Sequence, residues 1–227
     1  MAFEAPFEVL NADFSKRVVM ETAAMEWQAS PSPSVWRKRL DLLEGEYGRV
    51  TSVVRYDAGS RFHSHGHPEG EEILVLEGVF SDEHGDYLAG TYLLNPPGFE
   101  HAPFSKEGCV LFVKLYQYGG AARTHVATNT ARAAWEPGPA PGVQQIPLYF
   151  DEAHPESVRL LRFAPGARLP EYEMLGGEEI FVLEGAFEDG EGSYPKGAWL
   201  RNPPGGRHAL ASKKGCRLYV KSGHLDA

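Results

Sequence analysis

The chain repeats itself. Displaced by 107 residues, Glu71-Glu-Ile-Leu-Val-Leu-Glu-Gly78 falls on Glu178-Glu-Ile-Phe-Val-Leu-Glu-Gly185, and Asn95-Pro-Pro-Gly98 falls on Asn202-Pro-Pro-Gly205. In the same register His101 meets His208 and Gly108-Cys109 meets Gly215-Cys216. Between 59–114 and 166–221, 29 of 56 positions are identical without a gap. Identity this dense marks a duplicated domain, so the same fold is expected twice along the chain. With a displacement of 108 the match extends upstream: Trp27 on Trp135, Pro31 on Pro139, Pro33 on Pro141, Val35 on Val143 and Leu40 on Leu148. The Pro/Gly-rich stretch Glu136–Gly142 is therefore the start of the second repeat rather than a flexible linker. The junction is expected near Gly119-Gly120, giving domains at 1–119 and 120–227.

Each repeat reads as short strands. Thr51–Tyr56, Ile73–Leu76, Thr91–Leu94 and Val110–Tyr116 are rich in β-branched and aromatic residues, and Gly, Pro, Asp and Ser separate them at regular spacing. That pattern predicts an all-β sandwich or barrel, here two tandem jelly rolls. Sustained helical periodicity is missing, and the only helix expected is a short one near Ser34–Leu43. The 25 Gly and 17 Pro fit a fold made of tight turns.

Charge and cysteine content exclude several partners. The formal charge is −9, and no basic run exceeds Arg37-Lys38-Arg39, which argues against nucleic acid and anionic membranes. The start, Met1-Ala-Phe-Glu-Ala-Pro-Phe-Glu8, has neither the basic nor the apolar region of a signal peptide, and no stretch is long and apolar enough to span a bilayer. A cytoplasmic protein is the expectation. Its expected partners are a small molecule in a barrel and a second copy of the chain. Only Cys109 and Cys216 are present, at equivalent places in apolar runs, so buried core thiols are expected.

The chemistry is concentrated in repeat one. Gly59 is followed after five residues by His65, then His67, Glu71 and Gly78; Gly90 is followed by Pro96, Gly98 and His101. Residues two apart on a strand share a face, so His65 and His67 point the same way. His101 follows the Pro-Pro-Gly turn on a strand that must return antiparallel. Three imidazoles and a carboxylate can then surround one point, a donor set that suits zinc, iron, nickel, manganese or copper. His63 alternates with His65 and could face inward too. Glu69, Glu72 and Glu100 are candidates for holding an imidazole N–H. In repeat two the corresponding residues are Tyr172, Met174, Glu178 and His208. With two imidazoles lost, no tightly bound metal is expected there, though an organic ligand could line against Tyr172 and Met174.

These spacings resemble the cupin superfamily. The wording Gly70–Phe80, Asp82-Glu-His-Gly-Asp-Tyr87, Asn95-Pro-Pro-Gly98 and Gly108-Cys109 resembles the ChrR-type cupin domain, which forms the C-terminal half of the ChrR anti-sigma factors. The resemblance covers most of both repeats and implies two tandem RmlC-like cupin barrels, a bicupin. It implies that His65, His67, Glu71 and His101 are the metal ligands, that His63 stands at the rim, and that the ion is zinc, with iron, manganese or nickel as alternatives. It further implies a role in sensing oxidative stress. The helical, His/Cys-bearing domain by which ChrR proteins grip a sigma factor has no counterpart in residues 1–50, which contain neither Cys nor His. Related stand-alone cupins include non-haem dioxygenases that cleave diketones or hydroxylated aryl ketones, which is the alternative expectation.

Overall fold

The computed structural model describes residues 9–43, 48–118 and 122–225. The expected junction at Gly119-Gly120 and the stretch Met1–Glu8 lie outside them. Strands dominate, and among the described residues the only helix is the 3-10 turn Thr22–Ala24. Among the described residues no helix is long and apolar enough to cross a membrane.

The first barrel is built around the strand Glu71–Asp82. One side of it pairs with Thr91–Asn95 and the other with Cys109–Leu115, which continues to Val50–Tyr56 and Val35–Leu42. Its core comprises Val35, Val54, Ile73, Val75, Phe80, Leu93, Leu111 and Val113. The second barrel repeats the plan around Glu178–Glu188, with Ala198–Asn202, Cys216–Ser222, Ser157–Phe163 and Val143–Phe150. Gly78 shows why the repeat keeps its glycines. Its φ is +73°, and a Cβ there would stand 2.2 Å from the Gly108 carbonyl oxygen, a separation that only a glycine allows.

The compact units are not contiguous. One comprises Glu26–Ala131 with the described residues before Asp13; the other comprises Asp13–Met25 with the described residues from Arg132 onward. The cause is an exchange of equivalent strands. Val18–Glu21 lies along the second barrel's Ala198–Asn202, with Val18 opposite Arg201. Val126–Asn129, its counterpart 108 residues on, lies along the first barrel's Thr91–Asn95, with Val126 opposite Leu94. Each repeat thus covers the open edge of the other's sheet, an intramolecular strand swap that leaves no bare edge there. The division at 119/120 differs from this arrangement because repeat sequence marks ancestry, whereas strand pairing marks the fold.

The helix expected near Ser34–Leu43 is instead the strand Val35–Leu42. A β-bulge between Arg39 and Asp41 explains the misleading pattern. The extra residue shifts the inside/outside alternation by one, so buried Val35, Leu40 and Leu42 lose their period of two. The Pro/Gly-rich stretch is structured: Glu136–Pro137 pairs with Gln144 and Gln145 at the start of the second barrel. Cys109 and Cys216 are both buried and free, and burial pushes the Cys109 thiol up to about 11.

Candidate metal centre

Two short strands carry the three histidines. His65–His67 pairs antiparallel with Phe99–His101, placing His101 opposite His65 and Phe99 opposite His67. Alternation along the first strand and direct opposition across the pair put all three imidazoles on one face. Their donor atoms lie within 4.8 Å of one another. His67 Nε2 and His101 Nε2 are 3.0 Å apart. Glu71, the first residue of the central strand, brings Oε2 to 3.5 Å from His67 Nε2 and 3.6 Å from His101 Nε2. With metal–nitrogen bonds of ~2.0–2.1 Å, two ligand atoms at right angles stand about 2.9 Å apart and two at the tetrahedral angle about 3.3 Å. The separations among His67, His101 and Glu71 have the size of such polyhedron edges, and His65 joins the other two imidazoles within 4.8 Å, so these residue types suit an ion of that radius.

The neighbours fix which nitrogen faces the centre. His65 Nδ1–H donates to the His63 carbonyl oxygen at 3.0 Å, and His101 Nδ1–H donates to Asp82 Oδ2 at 3.2 Å. Each ring's lone pair is thereby left on Nε2, the nitrogen aimed inward. Asn95, directly across from Glu71, donates its Nδ2–H to Glu71 Oε2 at 3.0 Å and holds that carboxylate in place. His67 and His101 are buried, whereas His65 is exposed, so the centre opens to solvent on the His65 side.

Burial and environment split the imidazoles. Burial, reinforced by His101 and His65, lowers the His67 pKa against the pull of Glu71. Burial also opposes charge on His101, but the hydrogen bond to Asp82 and the field of Glu71 outweigh it and raise the pKa. Burial pushes Asp82 up, yet the bonds from His101 and the His84 backbone N–H bring it below its ordinary value.

Asp82 was not among the carboxylates expected to hold an imidazole, and those three stand elsewhere. Glu100 pairs opposite Gly66, on the strand face away from the histidines, and is exposed. Glu69 is exposed, and Glu72 alternates with Glu71 to the other sheet face, where it accepts from Tyr118 Oη at 2.5 Å. Asp82 and Asp189 match under the same displacement as His101 and His208, which was the available signal. His63 stays exposed and contributes its carbonyl rather than its ring. A rim of rings surrounds Phe99. His125, from the exchanged segment, stacks on it at 5.2 Å and 7°, and His84 lies at 5.3 Å.

The second barrel keeps the frame and closes the centre. Tyr172 pairs opposite His208 and Met174 opposite Gly206, the register of His65 with His101 and His67 with Phe99. Tyr172 Oη donates to Glu178 Oε1 at 2.7 Å, and His208 Nε2 lies 2.8 Å from Tyr172 Oη and 3.0 Å from Glu178 Oε1. Ser222 Oγ–H donates to the other Glu178 oxygen at 3.0 Å. The inward-facing oxygens and His208 Nε2 engage one another, while His208 Nδ1 and Asn202 Nδ2 are buried without a hydrogen-bond partner among the described residues. Burial and Glu178 push the Tyr172 hydroxyl far above its ordinary pKa, so it supplies no phenolate. Asp189 is engaged by Arg17 at 2.7 Å and stands 3.9 Å from His208 Nδ1, so it does not orient that ring as Asp82 orients His101. A metal does not fit this set.

The family model described as the ChrR cupin-like domain matches twice, over residues 15–119 and 123–226. The chain belongs to this family. No curated protein sequence matches it. Many solved structures share the fold. A candidate dioxygenase of Nostoc punctiforme is 16% identical with a TM-score of 0.77, covering 94% of this chain and 85% of its own. A bacterial pirin from Escherichia coli in complex with nickel(II) is 11% identical at a TM-score of 0.69, covering 91% and 98%. Salicylate 1,2-dioxygenase from Pseudaminobacter salicylatoxidans is 14% identical at 0.65, covering 93% and 85%. At such identities the likeness establishes the cupin fold and nothing finer.

Proposed function

We propose that barrel one holds a single divalent metal ion through His65, His67, Glu71 and His101, and that the protein is a zinc-holding, stress-sensing or regulatory cupin working without a sigma-binding module. One observation carries the reading: three imidazoles converge with two of their tautomers fixed by His63 and Asp82, and Glu71 is aligned on them by Asn95. Iron, manganese and nickel are the alternatives this donor set accepts. The ion would supply Lewis-acid character. The chain's own residues do the rest. Asp82 keeps the His101 proton on Nδ1, Asn95 holds the carboxylate, and the exposed His65 side admits a small molecule. Barrel two serves as scaffold. The two reduced thiols accord with a cytoplasmic setting.

A second reading, a non-haem metal-dependent dioxygenase acting on a diketone or aryl ketone, is favoured by the structural likeness to dioxygenases and by a described chain consisting of the two barrels. Two measurements separate the readings. Elemental analysis of protein purified without added metal should give zinc at one equivalent. An oxygen electrode, after anaerobic Fe(II) loading, should register no consumption over a panel of diketones and aryl ketones. Steady turnover would displace the regulatory reading in favour of the oxygenase.

A further inference from the structure

Barrel one carries a tyrosine on its inner face whose hydroxyl the fold does not use. Tyr56 ends the strand Val50–Tyr56, and alternation puts it on the same face as Val54, a core residue. Its ring packs against that core, opposite Cys109, and is only partly buried. Phe62 stands 5.1 Å from it and Phe80 6.1 Å, centroid to centroid. Both of those rings also lie against metal ligands: Phe62 is 6.1 Å from His65, and Phe80 is 6.1 Å from His101. Tyr56 is thus one ring removed from two of the imidazoles. The charge of Glu71 reaches its hydroxyl as well. Burial, then Glu71 and Cys109, push that group well above its ordinary pKa, and Arg37 pulls the other way. The hydroxyl is therefore a neutral donor throughout the physiological range. It makes no hydrogen bond among the described residues. Tyr87, packed against the same core, has its partner in Asp82 Oδ1 at 3.3 Å. A hydroxyl set among apolar rings without a partner costs stability, so it calls for another explanation.

The repeat makes the comparison internal. Tyr56 and Phe163 hold the same place, each opposite the equivalent cysteine, Cys109 or Cys216. Barrel two, whose centre is closed by Tyr172, Glu178 and His208, has phenylalanine there. Phenylalanine satisfies the packing of this frame, so the additional oxygen in barrel one answers to something besides the fold. The barrel with the full donor set is the one that keeps it.

We propose that Tyr56 Oη–H donates to an oxygen of the small molecule held at the metal centre, and that Tyr56 thereby selects oxygen ligands there. This rests on the metal reading above and names the ligand class for the same site. A neutral O–H suits a carboxylate, enolate or hydroxamate oxygen, and Phe62 and Phe80 supply apolar walls beside it.

The test is calorimetric titration of the full chain, holding its metal, with acetohydroxamate and with 1-methylimidazole. The first binds an ion through oxygen; the second binds through nitrogen and leaves no acceptor for Tyr56. Tyr56→Phe, which installs barrel two's own residue, should weaken the hydroxamate about three- to tenfold, the worth of one hydrogen bond. Affinity for 1-methylimidazole and metal content should not change. Urea unfolding of the same variant without ligand should show an equal or higher midpoint, because an unpartnered hydroxyl has left the interior. A lower midpoint would make Tyr56 a structural residue. That result, equal weakening of both ligands, unchanged hydroxamate affinity, or no hydroxamate binding by a metal-holding wild type overturns the proposal and leaves the metal reading standing. A wild type that holds no metal overturns both, and metal content measured in parallel tells that failure from the others.

Discussion

Replacing Asp82 by Asn tests the centre without touching a ligand. The Asp82 carboxylate has two tasks. Oδ1 accepts from the backbone N–H groups of His84 at 2.8 Å and Gly85 at 3.2 Å, which forms the turn. Oδ2 accepts from His101 Nδ1–H. An Asn carbonyl oxygen can keep the turn, but its amide then presents N–H to His101 Nδ1. Two donors cannot face each other, so His101 must move its proton to Nε2, the nitrogen aimed at the other donors. Loss of an imidazole's outer partner costs about 10–100-fold in metal affinity, or about 1.4–2.7 kcal/mol. Flipping the amide would restore His101 and break both turn bonds, at about 1–3 kcal/mol of stability, so either choice is measurable. The assay is zinc competition against a chromophoric chelator, paired with urea unfolding of the metal-free chain. The expected result is weaker zinc binding with the unfolding midpoint nearly unchanged. The control is Asp189→Asn in barrel two, which should leave zinc affinity untouched. Asp82→Asn binding zinc within twofold of wild type, at unchanged stability, would refute the reasoning.

Further outcomes follow from the same geometry. Tyr172→His/Met174→His should raise metal content from one to two equivalents per chain, with the new site about 10–100-fold weaker because Arg17 engages Asp189; mass spectrometry under native conditions counts the ions. Arg17→Ala should destabilise barrel two by about 3 kcal/mol, because buried Asp189 loses its cationic partner; urea denaturation followed by tryptophan fluorescence measures it. Cys109 and Cys216 should resist a colorimetric thiol reagent at pH 8 until denaturant is added, since both are buried and burial pushes the Cys109 thiol up to about 11; prompt reaction in the native state would contradict the burial.

The duplication and the strand runs were legible because turn residues recur at fixed offsets and β-branched residues fill the intervals. The convergence of His65, His67 and His101 was legible because period-two alternation and an antiparallel return suffice to predict a shared face. Three things were hidden for physical reasons. The bulge at Arg39–Asp41 broke the alternation and made a strand resemble a helix. The strand exchange left no local trace, because Val18–Glu21 would pair equally well with either copy of an equivalent edge. Asp82 was passed over for nearer glutamates, since sequence distance from the histidines says nothing about which face a carboxylate takes. Glu72, one residue from a candidate ligand, lies on the wrong face, whereas Asp82, eleven residues beyond Glu71, lies on the right one.

The central claim is that this twofold chain carries one working metal centre. Metal equivalents per chain, measured by plasma mass spectrometry on protein purified without added metal, test it most directly. The account predicts close to one equivalent in the wild type, close to none in His65→Ala/His101→Ala, and one in His208→Ala. No metal in the wild type, retention in the first variant, or loss in the last would contradict it.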